Sequence, residues 1–163
     1  MTMDLFSRIE ELVGELASAE AVERVLNVRT VCRDPEGNHA YASDEGAGYE
    51  LVLRNARILN PRINREGFVA VAAHFHPNRP QGVAFAGDLP GGIRLGHALD
   101  ETSPLLGAVM QRGRSEYSPL LKKDLPAWVV FPRQLCVLRV ELDRQNRILL
   151  VTLMNSQTRP SRK

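Results

Sequence analysis

Cysteine is scarce in this chain: Cys32 and Cys136 are the only two in 163 residues, and they lie far apart. With no second cysteine near either, no zinc knuckle and no Cys-x-x-Cys redox pair can form. Two buried free thiols are expected, and a disulfide between them is the alternative. Neither sign of charge is in excess. Twenty-one Lys and Arg against nineteen Asp and Glu leave a net charge of +2 and a pI near 8.7. That balance lacks the concentrated basic face that nucleic-acid binding requires. No window approaches the 18 apolar residues of a membrane span. The first residues, with Asp4, Glu10 and Glu11 breaking up the apolar positions, do not make a secretory signal. Internal repeats and low-complexity segments are absent as well. The expectation is a soluble, cytoplasmic protein that engages neither nucleic acid nor membrane.

What is present is ordinary foldable material, with 44% hydrophobic and 25% charged residues. A chain of this length forms one domain and buries roughly two-thirds of its unfolded surface. Phe6, Ile9, Leu12, Val13 and Leu16 recur at helical spacing behind Asp4, a natural N-cap. Ser18 can cap a second short helix carrying Ala21, Val22, Val25 and Leu26. Neither is long enough to stand alone in water, so the pair forms an arm packed on something else.

From Thr30 the period changes to two. Residues 30–33, 39–43 and 49–54 read as strands separated by acidic Gly-containing turns, and 57–63 as an edge continuation limited by Pro61. Residues 67–76 read as a central strand, with Phe68, Ala70, Ala72, His74 and His76 on one face and Val69, Val71, Ala73 and Phe75 on the other. Residues 83–86 suit a further short strand, 100–106 a short helix closing on Gly107, and 111–124 a basic surface loop. Residues 128–131, 135–142 and 147–154 are strands. The last two form an antiparallel hairpin with Cys136, Leu138, Val140 and Leu142 inward and Arg139 and Glu141 outward. The expected fold is α+β: a largely antiparallel β-sheet with an N-terminal helical arm and one short helix after a Gly/Pro-rich crossover. Residues 1–27 are the arm, 28–154 the sheet-based body and 155–163 a flexible basic tail.

Reactive groups in recognisable patterns are few. His74 and His76 share a strand face and could chelate a metal, but no third ligand stands at a readable spacing, and core or edge histidines explain them as well. His39, His97, Asp88 and Asp100 are bound into no pattern. No serine sits in a Gly-x-Ser-x-Gly elbow. Cys32 beside Arg33 is a single common pair. The glycine-rich run 87–96 lacks the Lys-Ser/Thr of a phosphate loop and the spacing of a dinucleotide fingerprint, so it serves as a structural crossover. No cofactor is implied.

One asymmetry stands out. Asp34, Glu36, Asp44, Glu45 and Glu50 fall within seventeen residues that contain no Lys or Arg. They are either solvated turns or an acidic rim that docks a basic partner. The basic loop Arg112, Arg114, Lys122 and Lys123 is a second, weaker candidate.

The run Phe85-Ala86-Gly87-Asp88-Leu89-Pro90-Gly91-Gly92-Ile93-Arg94-Leu95-Gly96, followed by Leu105-Leu106-Gly107, has a recognisable form. Upstream lie Tyr41, an acidic Gly turn and Tyr49-Glu50-Leu51-Val52-Leu53; downstream lie Trp128 and two final strands. Over residues 38–154 this resembles the small bacterial immunity proteins of antibacterial toxin systems, those of S-type pyocins and of type VI secretion effectors, in particular TsiT-like immunity proteins. The basic stretch 111–124 and the helical N-terminus depart from the pattern. The resemblance implies a stoichiometric, non-catalytic cytoplasmic blocker of a cognate toxin, such as a nuclease, with a homodimer as a further possibility. Charge pairing would fall to Asp44, Glu45 and Glu50, supported by Asp34 and Glu36, and aromatic anchoring to Tyr41 and Tyr49. The alternatives are a secretion chaperone or adaptor, and a small metal-dependent hydrolase built on His74 and His76.

Overall fold

The computed structural model describes residues 4–32, 34–44, 46–63, 66–77 and 83–155. Both helical caps form where expected. The Asp4 carboxylate accepts from the Ser7 amide at 2.9 Å and opens α1 (Leu5–Leu12); the Ser18 hydroxyl accepts from the Ala21 amide at 3.1 Å and opens α2 (Ala19–Leu26). Asn27 closes α2 in the left-handed conformation. α1 ends earlier than its apolar spacing suggested. Leu16 leaves the helix and enters a two-residue strand, β1 (Leu16–Ala17), and Val25 is exposed rather than packed.

The remaining strands are β2 (Thr30–Cys32), β3 (His39–Asp44), β4 (Tyr49–Asn55), β5 (Phe68–Phe75), β6 (Gln111–Gly113), β7 (Glu116–Ser118), β8 (Lys123–Leu125), β9 (Ala127–Pro132), β10 (Cys136–Leu142) and β11 (Ile148–Asn155). The large sheet runs β2-β3-β4-β5-β11-β10-β9-β6, and every strand pair in it is antiparallel. Two meanders thus meet at the β5–β11 seam. β11 covers β5 only from Ala72 to Phe75, and β1 pairs with Phe68 and Val69 to complete that edge. The protein is α+β with a helical N-terminal arm.

The core lies on one face of the sheet. Phe6 and Ile9 of α1 and Val22 and Leu26 of α2 join Ala42, Leu51, Leu53, Phe75, Leu138, Val140, Val151 and Leu153 in one buried cluster. The Phe6 and Phe75 rings lie 5.1 Å apart. The crossover between β5 and β6 adds Phe85, Leu89, Ile93, Leu99 and Leu106 to the same cluster, with Phe85 edge-on to Phe75 at 4.7 Å. Gly48 makes this approach possible. Its φ is +74°, and a β-carbon there would collide with the Phe85 backbone nitrogen.

Several expectations are corrected. Residues 57–63 do not extend the sheet, because the Asn55 side chain accepts from the Arg57 amide and starts a short helix, α3 (Ala56–Leu59). Residues 83–86 form no strand, and 100–106 make successive turns rather than a helix. Among the described residues of the crossover, the only regular piece is a 3-10 turn at Pro90–Gly92. The expected loop 111–124 contains β6, an edge strand of the main sheet, and a separate β7–β8 hairpin. The facing of β5 changes part-way: Val52 opposes Ala72 but Leu53 opposes Ala70, so Val71 is an extra residue, a β-bulge. Beyond it Ala70 turns into the core with Ala73 and Phe75, and Phe68 packs against them. Cys136 is buried, but Cys32 is exposed; both are free thiols. The tail beyond Asn155 lies outside the described residues.

Candidate functional site

The acidic turns do not form one rim. Successive hairpin turns lie at opposite ends of the strand they share. Asp34 and Glu36 therefore sit at the His39 end of β3, and Asp44 at the other end, about 17 Å away. The carboxylates also have local work. Asp34 accepts from the amides of Asn38 and His39 at 2.8 and 2.9 Å, which holds its carboxyl below the usual range. Asp44 accepts from the amides of Gly46 and Ala47 at 2.9 and 3.1 Å. Glu36 accepts from the Asn38 side chain at 2.8 Å. Glu45 lies outside the described residues.

The two tyrosines separate as well. In β4, Tyr49 alternates in step with Leu51 and Leu53 and is buried, 2% exposed, in the core. Burial, with the Asp44 charge added, pushes its phenol up to about 12. Tyr49 is a core residue, not a surface anchor. Tyr41 and Glu50 point the other way, onto the face of the sheet opposite the core.

That second face is where the chemistry gathers. Cross-strand registers place Ser43, Glu50, His74, Thr152, Arg139, Val130 and Gln111 in one row running over seven strands. His74 Nδ1 lies 2.9 Å from Thr152 Oγ1, and the His74 and His76 rings are 6.0 Å apart. Arg139 is paired with Glu141 at 3.3 Å, both side chains about a quarter exposed at 26% and 25%. Its guanidinium lies over the Trp128 indole, 5.0 Å from the ring centre. The Trp128 indole lies over Gly113 of β6, where a β-carbon would collide with the ring. Arg139 Nε is buried and has no hydrogen-bond partner among the described residues.

From Tyr41 on β3 to Trp128 on β9 this face spans five strand spacings, about 24 Å. It carries aromatic, cationic and anionic groups together. Among the described residues, no group of three or more His, Cys, Asp or Glu side chains is placed to hold a metal. His39 is 4.0 Å from Asp34, and His97 is exposed on the crossover.

The chain matches no family model, no curated protein and no solved structure. The site is therefore defined by its own geometry. Of the residues singled out in the sequence, Tyr41 and Glu50 belong to it, beside His74 and His76. Trp128, Arg139, Glu141 and Thr152 were not singled out as binding residues. The signal for two of them was the outward placement of Arg139 and Glu141 on a strand whose alternate positions are all apolar.

Proposed function

We propose that this protein is an immunity-type binder: it engages a cognate antibacterial toxin, a type VI secretion effector or pyocin-like nuclease, and neutralises it by covering its active site or substrate channel. The docking surface is made by the partly exposed side chains of the second face, Tyr41, Glu50, Trp128, Arg139 and Glu141; Thr152 and Val130 between them are buried. The observation that supports this most is the half-buried Arg139–Trp128 stack on the β9–β10 side of that face. Arg, Trp and Tyr are the side chains that dominate binding hot spots. The width of the face suits a patch of about 800 Å² per partner.

Co-expression with the product of the adjacent reading frame tests the proposal. An immunity protein abolishes the toxicity of that product in the cytoplasm, and Arg139→Ala with Trp128→Ala loses the protection. Undiminished toxicity of a stably bound product would instead identify a secretion chaperone. Turnover lost on changing His74 or His76 would identify an enzyme.

A further inference from the structure

The β7–β8 hairpin belongs to neither the main sheet nor the core. It forms a two-stranded sheet of its own between β6 and β9, tied at its base by the Ser115 hydroxyl to the Leu125 carbonyl at 2.9 Å. An ion pair at 2.9 Å links Asp124 to Arg144 in the β10–β11 turn. Its tip is apolar and fully in solvent: Leu120 is 89% exposed, and Tyr117 and Leu121 are exposed beside it. Single exposed leucines are ordinary, but two at one hairpin turn, with an exposed tyrosine on the adjoining strand, are not. Lys122 and Lys123, both exposed, follow the leucines directly.

The same chain carries a matching concavity. A groove of about 730 Å³ opens between α1, the crossover and the β9–β10 turn. Its walls include Glu10 and Glu11 of α1, Pro104 and Leu105 of the crossover, and Pro132 and Leu135 at the turn. Leu105 and Leu135 are 73% and 68% exposed, so the groove has apolar lips that nothing in the described chain covers. Glu10 is held by Arg133, while Glu11 is exposed. The tip thus presents exposed leucines followed by two lysines, and the groove presents two exposed leucines at its lips beside the exposed Glu11 carboxylate, with Arg133 in its wall bound to Glu10.

Topology decides how these surfaces can meet. The hairpin joins β9 at its Ala127 end, and the groove lies at its Pro132 end. They occupy opposite poles of one strand and cannot meet within a molecule. Copies stacked along the strand direction bring them together. We propose that the β7–β8 tip of one molecule docks into the groove of a second copy, between its first helix and the exposed Leu105 and Leu135. The contact is head-to-tail, and each molecule offers two different surfaces to it. The proposal is independent of any toxin, and it leaves the Arg139–Trp128 face free.

Sedimentation over a concentration series tests it, up to about 1 mM because a small contact of this kind is weak. Wild-type mass is expected to rise beyond that of a monomer with concentration. The tip variant, carrying Leu120→Asp and Leu121→Asp together, and the groove variant Leu135→Asp each replace exposed residues, and unchanged circular dichroism confirms their fold. Each is expected to remain monomeric alone. An equimolar mixture of the two is expected to form a dimer and nothing larger, because one intact tip meets one intact groove. Wild-type protein that stays monomeric throughout, a groove variant that still associates through its tips, or a mixture that fails to pair overturns the proposal.

Discussion

Glu10 on α1 grips Arg133 in the β9–β10 turn through two parallel hydrogen bonds, Nε to Oε1 at 2.6 Å and Nη2 to Oε2 at 2.9 Å. The pair joins the helical arm to the far meander, and the guanidinium lies 5.9 Å from the Phe6 ring centre. The bond to Glu10 raises the Arg133 pKa, so its charge is never in question. Forked, partly buried pairs of this kind are stronger than surface ion pairs. Glu10→Gln is expected to cost about 1–3 kcal/mol, read as a lower urea midpoint with an unchanged slope. Arg133→Lys keeps the charge and loses the fork, and is expected to recover only part of the stability.

The two thiols are expected to differ in reactivity. Burial, reinforced by the nearby Glu10 charge, pushes the Cys136 thiol up to about 11, whereas Cys32 is exposed. At pH 8 the native protein is expected to take up one equivalent of a thiol reagent promptly, and two after denaturation. Rapid uptake of two equivalents by the native protein contradicts the burial of Cys136.

Tyr49 sets an alkaline limit on stability. Its folded pKa of about 12 lies above the ordinary value of 10, so the unfolded chain loses this proton first as pH rises. The folded state then binds more protons than the unfolded, and stability falls with pH across that interval. The contribution is whole below pH 10 and lost as pH rises through 12, with a ceiling of about 2–3 kcal/mol. Tyr49→Phe is expected to flatten the decline in urea titrations between pH 9 and pH 11 (about one unit either side of the unfolded pKa).

Gly48 is expected to tolerate no side chain. Gly48→Ala must strain a backbone at φ +74° and push a methyl group into the Phe85 main chain, which carries the crossover onto the core. A loss above about 2 kcal/mol is expected, and weakened near-ultraviolet circular dichroism would locate it at the Phe75–Phe85 contact.

Local signals in the sequence were legible, and non-local ones were not. Asp4 and Ser18 announce their helices because a cap is decided within about four residues. The inward set Cys136, Leu138, Val140 and Leu142 follows from simple alternation. The same rule, applied strictly, also places Tyr49 with Leu51 and Leu53 in the core. Treating Tyr49 as an anchor set its aromatic character above its position. The bulge at Val71 depends on how β4 registers against β5, and nothing in residues 67–76 alone reports it. The β7–β8 hairpin was hidden because three-residue strands carry too little periodicity to distinguish from a loop. The site was harder still. Its row draws on seven strands from both meanders: the foreseen β10–β11 hairpin sets Thr152 beside Arg139, but only the β5–β11 seam sets His74 beside Thr152.

That row separates two kinds of mutational effect on the proposed toxin complex. Asp34, Glu36 and Asp44 sit in hydrogen-bonded turns at two ends of β3, away from the Arg139–Trp128 stack. Charge reversal at Glu36 is expected to change the association rate by a few-fold at most, and less at high salt. Arg139 lies in the row itself, on β10, with its guanidinium against Trp128 and Glu141. Arg139→Ala removes this cation and frees the indole, and is expected to raise the dissociation rate about 30-fold or more, as loss of a hot-spot side chain does. Arg139→Lys keeps the charge without the planar stack and is expected to fall between the two. Kinetics at two salt concentrations distinguish the surfaces. A dissociation rate unmoved by Arg139→Ala, beside an association rate cut about tenfold or more by Glu36→Lys, would return the docking surface to the turns.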